Sequence, residues 1–253
     1  MTAATATSPA AGPLQRLRAQ TAMELRLLLR NGENLLVAFG IPLLVLVFFS
    51  LVDVLPTDGR PVDFLVPGVL ALSVMSTALV SLGISTGFER YYLVLKRLGA
   101  TPLRRSELVA AKALAVCAVE AVQVVVVIGV AAWGLGWRAS APRLGLALAA
   151  MLAGTAAFAG IGLAMAGRLR AVATLALANV TYVVLLLTSG IAVPLERLPA
   201  PLATVARLLP AAPLAQLLRA ALGDAPVAAG DALVLGAWAV GATVLAARVF
   251  RWE

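Results

Sequence analysis

The chain has 253 residues, of which 62% are hydrophobic and 13% charged, about half the charge of an ordinary soluble domain. There is no histidine, so imidazole catalysis and imidazole metal ligation are excluded, and the single cysteine, Cys117, excludes an intrachain disulfide and any cysteine-built metal cluster. The net charge of +8 does not point to nucleic acid, because the positive residues collect on one side of a set of membrane spans.

Residues 1–13 are small, polar and Pro-containing and read as a disordered tail without the basic and apolar regions of a secretory signal. Residues 14–253 form one transmembrane domain. Leu14–Arg30 is an amphipathic helix with Leu14, Leu17, Thr21, Leu25, Leu28 and Leu29 on one face, Gln15, Arg16, Arg26 and Arg30 opposite, and Arg18 and Glu24 off the pattern. A basic amphipathic helix ahead of a span lies in the membrane interface. From Asn34 to Val52 nothing is ionisable. At 1.5 Å per residue this run is about 28 Å long, against a hydrocarbon core of about 30 Å. Further apolar runs complete an all-α architecture of six spans, at about 34–54, 64–88, 112–136, 144–167, 171–194 and 227–248.

The third run contains Glu120. A mid-span carboxylate costs about 2.5 to 3.5 kcal/mol, and the Val, Ile and Leu residues of Ala113–Gly134 each return about 0.3 to 0.6 kcal/mol, so the segment still inserts. With the N-terminus inside, fourteen Lys and Arg residues fall on the inner side and six on the outer. This bias puts both termini in the cytoplasm. Asp53, Asp58, Asp63, Glu196, Asp224 and Asp231 fall outside.

Between the second and third runs lies ERYYLVLKRLGATPLRRSELVAAK (Glu89–Lys112). Gly99 breaks one helix, Thr101 and Pro102 supply an N-cap and a first helical residue, and a short helix carrying Leu103, Arg104 and Arg105 is expected there. Leu103 flanked by positive charge reads either as a docking knob for a partner or as part of a basic loop on anionic headgroups. On the outer side Pro199, Pro201, Pro210 and Pro213 divide an apolar stretch into two short helices, near Pro201–Leu209 and Pro213–Leu222, expected to form a re-entrant or interfacial cap.

The candidate polar residues lie inside the runs. Ser73, Thr77, Ser81 and Ser85 recur every fourth residue and either pack against a neighbouring helix or line a pathway. Asn179 and Tyr182 belong to the polar set of the fifth run, and Asn179 is expected to find a partner across the bundle. Ala156, Gly160, Gly162 and Gly167 in the fourth run imply close helix packing. Glu120, the one intramembrane acid, lies about 12 Å along the helix from Lys112, with Gln123 one turn further. It is either an acid tied to a neighbouring span or a substrate or proton contact.

Three segments together resemble the ABC type-2 permease family, the membrane subunits of bacterial ATP-binding-cassette exporters: ELRLLLRNGENLLVAFGIPLLVLVFF (Glu24–Phe49), the Glu89–Lys112 loop, and TSGIAVPLERLPAPLATVARLLPAAPLAQLLRAAL (Thr188–Leu222). The family often has Gly-Thr-Leu after its first acidic-basic pair, where this chain has Tyr91, Tyr92 and Leu93. The resemblance implies a six-span permease in the bacterial cytoplasmic (inner) membrane, working as a dimer with an identical or homologous second subunit, its second and fifth spans facing the pathway. It implies two separate ATPase subunits carrying the ATP and Mg, and coupling through Glu89, Arg97, Gly99, Thr101, Pro102, Leu103, Arg104 and Arg105. The chain has no G-x-x-x-x-G-K-[ST] of its own. The rival readings are a proton-coupled secondary transporter using Glu120, and a membrane enzyme using Ser189, which the lack of histidine disfavours.

Overall fold

The computed structural model describes residues 12–52, 59–140, 142–191, 194–223 and 225–249. The first eleven residues of the expected tail, and Asp53, Asp58, Asp224 and Arg251 from the charge count, lie outside them. The described elements are all helical: α1 (Pro13–Arg30), α2 (Gly32–Leu51), α3 (Pro61–Val74), a π-helical segment (Met75–Ser81), α4 (Leu82–Tyr91), α5 (Val94–Gly99), α6 (Arg105–Gly129) with a π turn at Val130–Gly134, α7 (Leu144–Arg168), α8 (Ala171–Thr188), a 3-10 turn at Leu195–Arg197, α9 (Ala200–Leu208), α10 (Ala211–Leu222) and α11 (Ala229–Val249).

Among the described residues five helical stretches are long and apolar enough to cross a membrane: Pro61–Tyr91, Arg105–Gly134, Leu144–Arg168, Ala171–Thr188 and Ala229–Val249. Two bent pairs raise the number to as many as seven: α1 turns 66° into the helix ending at Leu51, and α9 turns 82° into α10. The chain is thus a multi-pass membrane protein. Helices in lipid gain no hydrophobic free energy by associating with each other, so close packing and polar ties hold a bundle together. Both are present here.

Close packing centres on α7. A Cβ built on Gly160 would lie 2.5 Å from the backbone of Ala242 in α11, and one on Gly162 would lie 2.9 Å from the Leu79 carbonyl in the π segment. One turn beyond Leu79, a Cβ on Gly83 would lie 3.1 Å from the Gly162 Cα. Glycines on α7 therefore let α11 and the Pro61–Tyr91 stretch approach backbone to backbone, and the middle of that stretch, from Leu65 to Leu79, is fully buried.

Polar ties close the two ends. At the end opposite the basic loop, three arginines are occupied by carbonyls. Arg60 donates to Leu135 at 2.9 Å, Arg143 donates to Ala220 at 3.2 Å, and Arg219 donates to Gly190 at 2.6 Å while lying 4.1 Å from the Phe64 ring. The indole of Trp238 in α11 donates to the Leu208 carbonyl at the end of α9. At the basic end, Arg90 donates to the Leu169 carbonyl at 2.5 Å, pinning α4 to the turn between α7 and α8.

One expectation about the loop needs correction. No helix begins at Thr101: residues 101–104 are non-helical, the short helix is α5 ahead of Gly99, and Arg105 starts the long α6. The reason is local, since the Arg104 backbone N–H donates to the Glu107 carboxylate at 2.9 Å and so begins α6 four residues later than Thr101. On α1, Leu17, Thr21, Leu25 and Leu28 of the leucine face are half buried, Leu14 and Leu29 are exposed, and Glu24 is the one fully buried residue.

Gly160→Val forces a side chain into backbone, and overpacking of this kind costs about 1 to 3 kcal/mol. The expected result is a lower melting temperature of the purified chain in detergent. Gly236→Ala, where nothing lies within 4 Å, leaves the melting temperature unchanged.

Candidate functional site

Lys112 carries the most demanding group at the basic end. Its side chain is 1% exposed, and its ammonium donates to Glu24 of α1 at 2.9 Å and to both oxygens of Glu89 of α4 at 2.9 and 2.8 Å. A buried ammonium without counter-charges costs several kcal/mol, so α1, α4 and α6 are held together by the lysine's need for partners. Gln20 adds a bond to the second oxygen of Glu24 at 2.7 Å. Nearer the start of both helices, about two turns back along α1, Arg16 is ion-paired with Glu107 at 2.7 Å.

Arg16, Gln20 and Glu24 recur every fourth residue and so form a polar stripe on α1. That stripe meets α6 through Arg16 and Glu24, beside half-buried Leu17, Thr21 and Leu28. Its members are visible in the sequence, but the amphipathic pattern puts Arg16 opposite the leucines and Glu24 off the pattern.

The second polar layer lies deeper. Pro42 has no N–H, so it leaves the carbonyl of Ala38, four residues earlier in α2, without its helical partner. Gln123 of α6 donates its side-chain amide to that carbonyl at 2.9 Å and accepts from the Thr77 hydroxyl at 3.0 Å. One amide thus joins α2, α6 and the π segment. Glu120 faces α7, where its Oε2 lies 2.5 Å from the Thr155 hydroxyl, which also lies 2.9 Å from the Met151 carbonyl. One hydroxyl proton cannot serve both acceptors. The chain of bonds is complete when Glu120 is the neutral acid, donating to Thr155, which donates to Met151. Glu120 Oε1 has no hydrogen-bond partner.

The structure separates the other candidate residues. Ser73, Thr77 and Ser81 are buried inside the subunit; Ser73 donates to the Val69 carbonyl and half-buried Ser85 to the Leu82 carbonyl. Tyr182 is buried with an unpartnered hydroxyl. Asn179 does not reach across the bundle: it is exposed on α8, and its amide donates to the Leu175 carbonyl of its own helix.

In the loop, Arg97, Gly99, Thr101, Pro102, Arg104 and Arg105 are exposed. The Thr101 hydroxyl donates to the Leu98 carbonyl at 2.6 Å, and Leu103 is half buried against the core. The apolar groups that project are Tyr91, Tyr92 and Leu93, at 68%, 63% and 55% exposure. Leu93 holds them there in a left-handed conformation (φ 60°), uncommon for a residue with a Cβ. Glu89 sits two residues before this ridge and is fixed by Lys112.

The profile of the ABC-2 type transporter membrane family matches residues 15–222. The chain belongs to the ABC-2 type transporter family. A search of curated proteins finds no match. As a member of this family the chain is a transport permease with no ATPase site of its own. The matched region takes in both polar layers, the projecting ridge and the α9–α10 pair, and ends as α10 ends. Among the described residues no group of His, Cys, Asp and Glu side chains could hold a metal ion.

Lys112→Met leaves two carboxylates buried without their cation, a change that costs about 3 to 5 kcal/mol. The expected result is a large fall in melting temperature, mostly recovered in the Glu24→Gln, Lys112→Met, Glu89→Gln triple variant. A Lys112→Met chain that melts like the parent would show that the cluster ties nothing together.

Proposed function

We propose that this ABC-2 permease is the translocating subunit of an exporter, working as a dimer and driven by two separate ATPase subunits that bind ATP and Mg. On this reading α2 is the first of six spans and the α9–α10 pair is an outer re-entrant cap. Both termini then face the cytoplasm, and the protein sits in the bacterial inner membrane. The observation that carries it is the projecting ridge Tyr91–Tyr92–Leu93, followed at once by exposed Arg97 and Arg104. Aromatic side chains beside arginines are the composition of a protein-docking surface. Rigid anchorage behind the ridge, through Glu89 and Lys112, lets a push on it reach α1, α4 and α6 together.

The outward position of Asn179 supports a partner on that side. An amide on the lipid-facing surface of a span is costly, and a second permease subunit packed on α8 removes it from lipid. Ser73, Thr77 and Ser81 then serve the pathway only through movement of the enclosed second span. The substrate chemistry is not assigned.

The test is co-expression with an ATPase subunit carrying a P-loop. In proteoliposomes, Arg97→Glu with Arg104→Glu, or Tyr91→Ala with Tyr92→Ala, is expected to lower ATP-driven transport at least tenfold at unchanged expression and melting temperature. Full transport in both variants would remove this surface from the coupling path.

The rival reading, a proton-coupled transporter using Glu120, is favoured by one observation, the unpartnered Glu120 Oε1. Glu120→Gln separates the two. An ATP-driven permease keeps transport and its pH dependence within about twofold, because Gln can still donate to Thr155. Loss of transport with loss of its response to a proton gradient would favour the rival.

A further inference from the structure

A groove of about 690 Å³ lies between α6, α7 and α11, opening at the basic end of the bundle. Its mouth is formed by Arg105 and Ser106, and its walls include Ala110, Ala113, Ala159 and Ala247. α7 and α11 cannot come closer, since Gly160 already touches the backbone of Ala242. α6 stands off from them, drawn toward α1 and α4 by Lys112, so short side chains that would permit close packing leave a channel instead.

The inner end of the groove offers nothing to a polar ligand. Thr243, the one hydroxyl at that depth, lies 3.4 Å from the Ala156 carbonyl, and the remaining walls are aliphatic. The mouth is the opposite. Arg105 is exposed and has no ion pair among the described residues. Arg248 is exposed next to Ala247. Glu107, two residues beyond Arg105, is engaged by Arg16. From Arg105 to Ala113 the groove follows α6 for about 12 Å, close to the depth of one leaflet of a hydrocarbon core about 30 Å thick.

We infer that this groove holds one acyl chain of an anionic phospholipid from the leaflet at the basic end, with the headgroup on Arg105. The charge at the mouth selects an anionic headgroup, and the aliphatic interior selects a hydrocarbon chain. Binding needs only the membrane-spanning bundle and does not depend on how transport is driven.

Native mass spectrometry of the full chain, purified in detergent and titrated with phosphatidylglycerol or phosphatidylcholine, tests this. The parent is expected to retain one phosphatidylglycerol with roughly fivefold preference over phosphatidylcholine, the effect of about one basic group at an anionic surface. Arg105→Gln, on an exposed side chain that does not threaten folding, abolishes the preference, and Ala113→Leu lowers retention of both lipids at least fivefold. Equal retention of the two lipids by the parent, or a preference that survives Arg105→Gln, would overturn the proposal. So would disulfide-linked dimers of an Ala113→Cys, Cys117→Ser chain in membranes, which would assign the groove to a second copy.

Discussion

The bundle depends on a lysine that cannot be buried alone. Lys112 sits in α6 with almost no access to solvent, and two carboxylates from two other helices converge on it. The Coulombic attraction offsets the desolvation of three charges only while all three are in place. A helix that a hydropathy reading leaves lying on the membrane is thereby fixed to the spans. The order of causes runs from charge burial, to the docking of α1, to the position of α4, and from α4 to the ridge that projects beyond it.

Deeper in the membrane the same economy recurs with neutral groups. Pro42 frees a carbonyl, Gln123 takes it up, and Thr77 fills the remaining site on that amide. Glycines on α7 close the other half of the bundle by contact between backbones. The two halves are joined differently: α1, α2, α4 and α6 by polar side chains, α7 and α11 by fitted surfaces. The groove between α6 and α7 lies along the boundary between them. Glu120 and Thr155 bridge that boundary, the one side-chain hydrogen bond between α6 and α7 among the described residues.

Much of this was legible in the sequence, and for physical reasons. Charge-free runs mark helices that must satisfy their backbone internally in lipid, and five of the runs coincide with long apolar helices among the described residues, while the run of α2 belongs to a bent pair. Ala156, Gly160 and Gly162 announced close packing, and the four prolines announced the α9–α10 pair. What was not legible concerns direction. Arg16, Gln20 and Glu24 pack inward because Lys112 and Glu107 await them, and those partners are some ninety residues away in sequence. The hydroxyl stripe of the second span and Asn179 of the fifth carry the same polar signal, yet one is enclosed and the other faces outward. Periodicity gives a face but not its neighbour. The start of α6 was missed because Thr101-Pro102 is a strong local cap signal, and the backbone bond from Arg104 to Glu107 prevailed over it.

The Lys112 cluster makes the N-terminal helix and the loop after α4 one rigid lever. The most direct test is a distance measurement between spin labels at Arg26→Cys on α1 and Arg104→Cys at the start of α6, in a Cys117→Ser chain co-expressed with the P-loop ATPase subunit of the proposed function. A single narrow distance, the same with and without ATP, is the predicted result, and in a Lys112→Met chain it broadens. A distance in the parent that shifts or splits when ATP binds would contradict it, because α1 and the loop would then move separately.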